Sequence, residues 1–333
     1  MGRAVALMDN PQYGSSTPST SAGHTSAERY RSAPGTEPSW FRTGTKYDTI
    51  KTVAQLLSYT WRLVVVKVEL APKNPYGLAL ATPVMTAAGC FGFGVEYERI
   101  VPVEQTGAIV TGSVSLRGRR ALPPLRLIET PAGLLSVGAW LDPGVDRVLR
   151  EYAPVWATWK TPVILSVASD HGAVAAALEG VDGIAGLELS FGDDLAGIAR
   201  IIAAVRATTL LPLLVKLPLH RGLAVTARAA LDAGTDALTI AAPPRASAPD
   251  PLTGALLHGR LSGPAVRPLV LEAIADACAA LDAPVVACGG VTTATDARAY
   301  LAAGATAVQV GSALLADPFA AVRITEELRS IEP

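Results

Sequence analysis

The chain has 333 residues, of which half are hydrophobic and 17% are charged, and its formal net charge is -1 at pH 7. This length allows one large core, and the near-zero charge excludes the basic field that attracts nucleic-acid phosphates. The three cysteines lack C-x-x-C spacing, which argues against a disulfide framework, a structural zinc site or a protein-bound iron–sulfur cluster. Neither signal-peptide character nor a run of about 18 apolar residues is seen, so we expect a cytoplasmic protein.

Residues 1–45 are rich in Ser, Thr, Gly and Pro, and we predict a disordered tail because they bury too little apolar surface to offset ordering entropy. Over residues 46–62 we predict one amphipathic helix. Its apolar residues recur at helical spacing at Ile50, Val53, Leu57 and Trp61. Two interpretations stay open: residues 47–61 dock a protein partner or a membrane surface, or the helix packs on the end of its own domain.

Residues 63–333 alternate strand-like and helix-like segments, the pattern of repeated βα units. Most strand-like segments are continuous apolar runs, as expected for parallel strands covered on both faces. The predicted strands are residues 83–89, 107–114, 162–169, 186–191, 211–218, 237–243, 284–290 and 307–313. Helical periodicity between them is clearest over residues 224–233 and 294–303. Eight such units predict a (β/α)8 barrel, that is, a TIM barrel.

Two connections are longer than a barrel requires. They run from Ser115 to Gly144, after the second predicted strand, and from Pro244 to Gly263, after the sixth. Each follows the carboxyl end of a strand, the end at which barrels of this kind build their active sites. We therefore predict that these two segments are lids or walls of a substrate site.

Glycines follow the last two predicted strands. The seventh ends at Cys288-Gly289-Gly290 and the eighth at Gly311-Ser312, each with a helix predicted just beyond. Backbone N–H groups of such turns converge on a phosphate, and the helix dipole adds positive potential. We predict a phosphate site here, for FMN or for a phosphorylated substrate. The alternative is that the glycines only shape tight turns.

Four motifs resemble one known family and occur in its order. They are Ala87-Ala88-Gly89-Cys90-Phe91-Gly92-Phe93-Gly94, Glu129-Thr130-Pro131-Ala132-Gly133-Leu134-Leu135, Val215-Lys216-Leu217 and Leu261-Ser262-Gly263-Pro264-Ala265. From about residue 64 to residue 333 the chain resembles the dihydroorotate dehydrogenases, and it looks most like their two-subunit, NAD-linked class. The resemblance implies an FMN-dependent oxidoreductase of pyrimidine biosynthesis, whose partner subunit carries FAD and an iron–sulfur cluster.

The resemblance also implies a set of flavin-binding residues. These are Ala87, Ala88, Gly89, Ser113, Ser166, Lys216, Gly263, Gly289, Gly290, Gly311 and Ser312. Lys216 matches the lysine that places positive charge beside the isoalloxazine. Its lone charge in an apolar strand supports this role, because a buried ammonium needs an anion or acceptor. The alternative for Lys216 is a side chain that extends to the barrel rim.

The substrate site departs from the family pattern. Gly112 replaces a lysine of the family, and Ser136, Ser190 and Ala242 replace asparagines. Ser136 and Ser190 stay predicted substrate contacts. Asp193 falls near the position of the general base and is the candidate catalytic residue, since burial can raise a carboxyl pKa. The alternative is that residues 192–194 cap a helix that begins there.

Other reactive side chains are interpreted more simply. Cys90 and Cys288 are assigned to the core. His220 and His258 lie in loops at the carboxyl ends of strands, where they either line a pocket or are solvated.

Three functions remain open from the sequence. The first is an FMN oxidoreductase, either a divergent dihydroorotate dehydrogenase or a relative with another small substrate. The second is a catalytically impaired barrel that serves as a binding or assembly component through residues 47–61. The third is a barrel that binds a sugar phosphate. We predict no metal site and no nucleic-acid partner, and we expect a homo-oligomer or a place in a larger assembly.

Overall fold

The computed structural model describes residues 68–119, 126–138 and 141–330. The predicted tail over residues 1–45 and the predicted helix over residues 46–62 lie outside these ranges. Within the described ranges, no helix has both the length and the apolar character needed to cross a membrane.

The described residues alternate strands and helices for most of their length. In chain order the strands are β1 (Val68–Glu69), β2 (Ala79–Leu80), β3 (Val84–Thr86), β4 (Ile109–Val110), β5 (Arg126–Thr130), β6 (Gly133–Val137), β7 (Val163–Val167), β8 (Gly186–Ser190), β9 (Leu213–Pro218), β10 (Ala237–Ala242), β11 (Arg245–Pro249), β12 (Leu256–Ser262), β13 (Val285–Cys288) and β14 (Ala307–Val310). The helices are α1 (Val145–Arg147), α2 (Ala153–Trp156), α3 (His171–Leu178), α4 (Ile198–Arg206), α5 (Leu223–Asp232), α6 (Arg267–Ala280), α7 (Ala294–Ala302), α8 (Ala313–Ala316) and α9 (Ala320–Ser330). A π-helical segment, Val148–Tyr152, joins α1 to α2, and short 3-10 turns cover Val103–Gln105 and Pro264–Val266.

Eight parallel strands form the barrel, in the order β3-β14-β13-β10-β9-β8-β7-β4. The two end strands meet through a parallel bridge between Met85 and Ala108, and the Thr86 amide donates to the Ala108 carbonyl at 3.1 Å. This contact closes the ring. The (β/α)8 barrel prediction is therefore confirmed, and each predicted strand contains one barrel strand.

The amino-terminal end of the barrel is closed by the β1–β2 hairpin. Leu70, Leu78 and Leu80 of this hairpin segment pack with apolar residues near the starts of the barrel strands, such as Met85 and Leu214, and all of these are buried. The larger part of the core joins the strands to the surrounding helices. A plugged amino-terminal end leaves the carboxyl ends of the strands as the accessible end of the barrel.

The two long connections form a sheet of their own over the carboxyl ends of the strands. Their four strands pair in the order β11-β12-β6-β5, and the pairing of β12 with β6 is antiparallel. In this register Arg260 lies opposite Ser136, and Leu261 lies opposite Leu135. We call these four strands the lid sheet. The two connections are thus structured elements that support each other across more than 100 residues of sequence.

Candidate active site

The predicted phosphate residues follow three neighbouring strands. Gly289 follows β13, Gly311 follows β14 and Ala87 follows β3, and these strands are adjacent in the barrel. The Ala87 amide donates to the Val310 carbonyl at 2.8 Å, and a Cβ built on Gly311 would lie 3.4 Å from the Ala87 Cβ. The fold therefore brings the predicted flavin strand and the two glycine turns to one place.

The turn at Gly263 packs directly against the turn after β13. Gly263 and Gly290 have φ values of +103° and +69°, which disfavour any other residue. A Cβ built on Gly290 would lie 2.8 Å from both the Gly263 carbonyl oxygen and the Arg267 Cβ. Helix α6 begins at Arg267. These glycines allow two backbone turns to meet at a helix start, an arrangement that fits a bound phosphate.

Three residues that the sequence did not single out support these glycine turns: Tyr300, Arg267 and Asp296. The Tyr300 hydroxyl donates to the Gly289 carbonyl at 2.6 Å. Arg267 forms an ion pair with Asp296, whose side chain also completes the capping box of α7 with Thr293. The side chain of Arg267 is about a third exposed, so the cation remains accessible beside the glycine turns.

Ser113 and Ser166, two more predicted flavin contacts, share a hydrogen bond. Their hydroxyl oxygens are 2.9 Å apart. Ser166 lies on β7 and is fully buried, whereas Ser113 follows β4 and is half-buried. The pair belongs to the strand ends on the side of the barrel opening where β4 and β7 are neighbours.

Lys216 is buried on β9 and belongs to a polar network inside the barrel. Its ammonium donates to Glu188 Oε1 at 3.2 Å and to Gln309 Oε1 at 2.8 Å. Glu188 Oε2 in turn accepts from Gln309 Nε2 at 2.6 Å and from the Thr239 hydroxyl at 2.9 Å. Every member is at most 5% exposed. The alternative interpretation of Lys216, a side chain extending to the rim, is wrong.

The network keeps Lys216 charged. Burial by itself would lower the pKa of the ammonium, but the neighbouring side chains, with Glu188 in direct contact, raise it above its usual value. From the sequence we expected an anion or an acceptor beside Lys216, but the sequence did not identify Glu188 or Gln309 as these partners. A single acidic residue in the apolar run Leu187-Glu188-Leu189 was the signal available in the sequence.

The thiols near Lys216 are poor nucleophiles. Burial raises the pKa of Cys90 to about 12, and it also raises the pKa of Cys288. Both groups therefore stay protonated at neutral pH, which agrees with their assignment to the core. His220 and His258 have local hydrogen-bonding partners: His220 Nδ1 accepts from the Gly222 amide, and His258 Nδ1 lies 2.7 Å from the Ser247 hydroxyl on the lid sheet.

The position of the missing family lysine is covered by an aromatic ring. A Cβ built on Gly112 would lie 3.2 Å from two ring atoms of Phe93. Phe93 is buried and stacks on Tyr152 with ring centroids 4.6 Å apart. A longer side chain at residue 112 therefore requires movement of a packed aromatic pair.

Asp193 forms a bidentate ion pair with Arg260. Its carboxylate oxygens accept from the two terminal guanidinium nitrogens at 2.7 and 2.8 Å. The hydrogen bonds from Arg260 lower the pKa of Asp193. A general base at neutral pH works best with a raised pKa and a free oxygen, so this arrangement argues against the catalytic assignment, which stays a prediction.

The alternative interpretation of Asp193 as a helix cap is wrong. Helix α4 begins at Ile198, and its N-cap is Gly197, which has a φ of +69°. Asp194 accepts from the Ala196 amide and so shapes the preceding turn. Residues 192–194 are loop, because the chain must still turn away from the end of β8 before a helix can start.

The fold and these contacts together define a class: a closed (β/α)8 barrel with glycine turns that fit a phosphate and with a buried lysine inside the barrel. A family model described as dihydroorotate dehydrogenase matches residues 71–331. A curated relative, the catalytic subunit of dihydroorotate dehydrogenase B (NAD(+)) from Geotalea uraniireducens, is 36% identical over 276 residues, covering 76% of this chain and 90% of the relative. The protein of the same name from Desulforudis audaxviator is 38% identical over 274 residues, covering 76% and 89%.

The chain therefore belongs to the dihydroorotate dehydrogenase family. Its similarity to the NAD-linked class agrees with the resemblance seen in the sequence. Family membership supports FMN as the cofactor, and the glycine turns and Lys216 are the features of this chain that fit it.

Proposed function

We propose that this chain is the FMN-binding barrel of a dihydroorotate dehydrogenase-like oxidoreductase whose substrate site has diverged. The observation that carries the proposal is the contrast between an intact cup at Gly263, Gly289 and Gly290 and an altered site at Ser190 and Asp193. Bound FMN would supply a two-electron acceptor for a small organic donor.

The residues proposed to bind FMN have separate tasks. The backbone turns at Gly289, Gly290 and Gly311, with Ser312 and Gly263, bind its phosphate. Lys216 places a fixed positive charge inside the barrel, and Glu188 and Gln309 hold that charge in one position. Such a cation stabilises negative charge that develops nearby during reduction. Ala87, Ala88, Gly89, Ser113 and Ser166 complete the proposed flavin contacts.

The proposal is tested on the purified full-length chain. We expect one FMN per chain, identified by mass spectrometry after its release from the protein. Under anaerobic conditions, we expect dihydroorotate to reduce the bound flavin slowly or not at all. Loss of a general base costs about 10²–10⁴-fold in rate. Colourless protein that takes up no added FMN would overturn the proposal. Rapid reduction by dihydroorotate would overturn the divergence and leave ordinary family activity in its place.

A second candidate function is a component of a larger assembly. It is supported by the relatives, which are named as catalytic subunits, and by the substrate site proposed to have diverged. Residues 47–61 are the proposed contact with the partner. Deletion of residues 1–62 is expected to abolish co-purification with a partner while FMN binding is retained. Unchanged co-purification would contradict this assembly role for the segment.

A further inference from the structure

The side chain of Tyr300 is buried behind the glycine turn that follows β13. It belongs to helix α7, which begins just beyond that turn, and it is fully buried. Its hydroxyl oxygen lies 2.6 Å from the Gly289 carbonyl oxygen and 3.3 Å from the Arg267 carbonyl oxygen. A phenol has one proton to donate, and the shorter distance identifies Gly289 as the acceptor. Burial raises the pKa of Tyr300, so the hydroxyl remains a donor well above neutral pH.

This hydrogen bond fixes the peptide group between Gly289 and Gly290. The two residues have φ values of +152° and +69° and are joined by a trans peptide bond. Because neither residue has a Cβ, the plane of this peptide is free to rotate unless another group holds it. In a planar trans peptide the carbonyl and the following N–H point in opposite directions. Tyr300 holds the carbonyl from the side of α7, so the Gly290 N–H is directed away from that helix.

The Gly290 N–H is a buried donor that is free to bind a ligand. Gly290 is buried, and its N–H meets no acceptor within the part of the chain that the structure describes. Buried backbone N–H groups of proteins are nearly always paired. This donor lies beside the start of α6, where the helix dipole favours a negative charge. An anion is therefore the acceptor that fits it, and the phosphate of the proposed flavin is one.

We propose that Tyr300 is a positioning residue for the phosphate of the flavin. Its hydroxyl holds the Gly289 carbonyl, and the Gly290 N–H is thereby kept directed at the phosphate. The chain then prefers FMN over riboflavin, which has the same ring system without the phosphate. This inference rests on the proposed function, since it concerns how this chain binds FMN.

The experiment compares the affinities of the full-length chain, freed of flavin, for FMN and for riboflavin by fluorescence titration. The variant is Tyr300→Phe, which keeps the ring in the core and releases the peptide. The matched control is Tyr152→Phe, because Tyr152 is also buried and loses the same hydroxyl. Its ring packs against Phe93 and Trp156, in another part of the core.

We expect Tyr300→Phe to weaken FMN binding roughly 10-fold, because the hydrogen bond from the Gly290 N–H to a charged group is weakened or lost. Riboflavin affinity should not change. Looser packing would weaken the binding of both flavins alike, so the ratio of the two affinities separates positioning from a merely structural role. Tyr152→Phe should leave both affinities at the wild-type values.

A second measurement follows the Gly290 amide by nuclear magnetic resonance in protein labelled with ¹⁵N-glycine. Its signal is identified by its absence from Gly290→Ala. In the wild type, FMN should move this proton signal downfield, because a charge-assisted hydrogen bond to the phosphate forms, and riboflavin should not. In Tyr300→Phe the downfield shift should be smaller. This measurement decides the question even if riboflavin binds too weakly to titrate.

Equal FMN affinities of Tyr300→Phe and the wild type would overturn the inference, as would equal losses for FMN and riboflavin. So would a Gly290 signal that does not move when FMN binds. If the wild type takes up no FMN, the proposed function fails by itself. Titration of the labelled chain with inorganic phosphate then still decides whether Tyr300 directs the Gly290 N–H at an anion.

Discussion

The two halves of the barrel opening are built from different parts of the chain. The proposed phosphate cup, beyond β13, β14 and β3, consists of backbone turns at Gly289, Gly290 and Gly311. The proposed substrate half, beyond β8 and β10, includes the side chains of Asp193 and Arg260. A backbone site depends on the fold itself, whereas a side-chain site changes with single substitutions that leave the fold intact.

This difference would account for the proposed function, in which one half keeps the family pattern and the other departs from it. Gly290 cannot become alanine without strain and a close contact with the Gly263 carbonyl. Ser190, at the end of β8, lies in a strand and has no such backbone restriction. The proposed cofactor half is therefore constrained by backbone conformation at Gly290, whereas the proposed substrate half has no such constraint at Ser190.

The largest expected effect is that of Gly290→Ala. The new Cβ would lie 2.8 Å from the Gly263 carbonyl oxygen at a φ of +69°, so the two turns must separate. We expect FMN affinity to fall by roughly 100-fold or more, since several charge-assisted hydrogen bonds are lost together. Fluorescence titration with FMN measures this affinity.

The control for this variant is Gly172→Ala, because Gly172 lies in helix α3 and a Cβ there would meet no atom within 4 Å. Its FMN affinity should match that of the wild type. Equal affinity in Gly290→Ala would show that the cup does not depend on contact between the two turns.

The next largest effect is expected in the buried polar network inside the barrel, which contains Lys216, Glu188, Gln309 and Thr239. Glu188→Leu leaves the Lys216 ammonium in the barrel without its carboxylate, and removal of one partner of a buried ion pair costs about 3–5 kcal/mol of unfolding free energy. Urea denaturation measures this loss of unfolding free energy. The double variant Glu188→Leu/Lys216→Met removes both charges and should recover most of the loss. No recovery would mean that Glu188 stabilises the barrel through Thr239 or Gln309 instead.

The barrel was predictable from the sequence, but the network and the lid sheet were not. Apolar runs bounded by Gly and Pro are local signals, and they placed all eight strands, although β4 is only Ile109–Val110 within a longer predicted segment. Lys216 meets Glu188 and Gln309 from 28 and 93 residues away. Pairing at such separations is set by barrel closure, which no local pattern encodes.

The glycine turns could be located from the sequence because the glycines are themselves the signal. Each glycine follows a strand, and the turn chemistry is local. Arg260 could not be singled out in this way, since its meaning depends on the pairing of β12 with β6 and on the loop beyond β8. The helix predicted near residues 192–194 failed for the opposite reason: acidic residues after a strand are typical of a helix cap, but the chain here first completes a turn.

A smaller effect is expected at the position of the missing lysine. Gly112→Lys should lower the unfolding free energy by about 1–3 kcal/mol, because the new side chain presses on the packed ring of Phe93. It should not increase dihydroorotate oxidation. Thermal denaturation and flavin reduction measure the two outcomes. An undisturbed melting temperature with faster oxidation would show that a single substitution restores dihydroorotate oxidation despite the other departures from the family pattern.

The smallest effect tests the link between the substrate half and pH. His171 stacks on Phe191 with ring centroids 4.6 Å apart, and its Nε2 lies 3.1 Å from the Ser190 carbonyl oxygen. Burial lowers the pKa of His171, so the native state resists protonation more than the unfolded chain does. Stability from this group is then present above the unfolded pKa of about 6.5 and is lost as the pH falls below it.

The melting temperature of the wild type should fall more between about pH 7.5 and pH 5 than that of His171→Phe, which keeps the aromatic stack without the titrating group. Equal falls of the two melting temperatures would mean that groups other than His171 account for the loss of stability in acid.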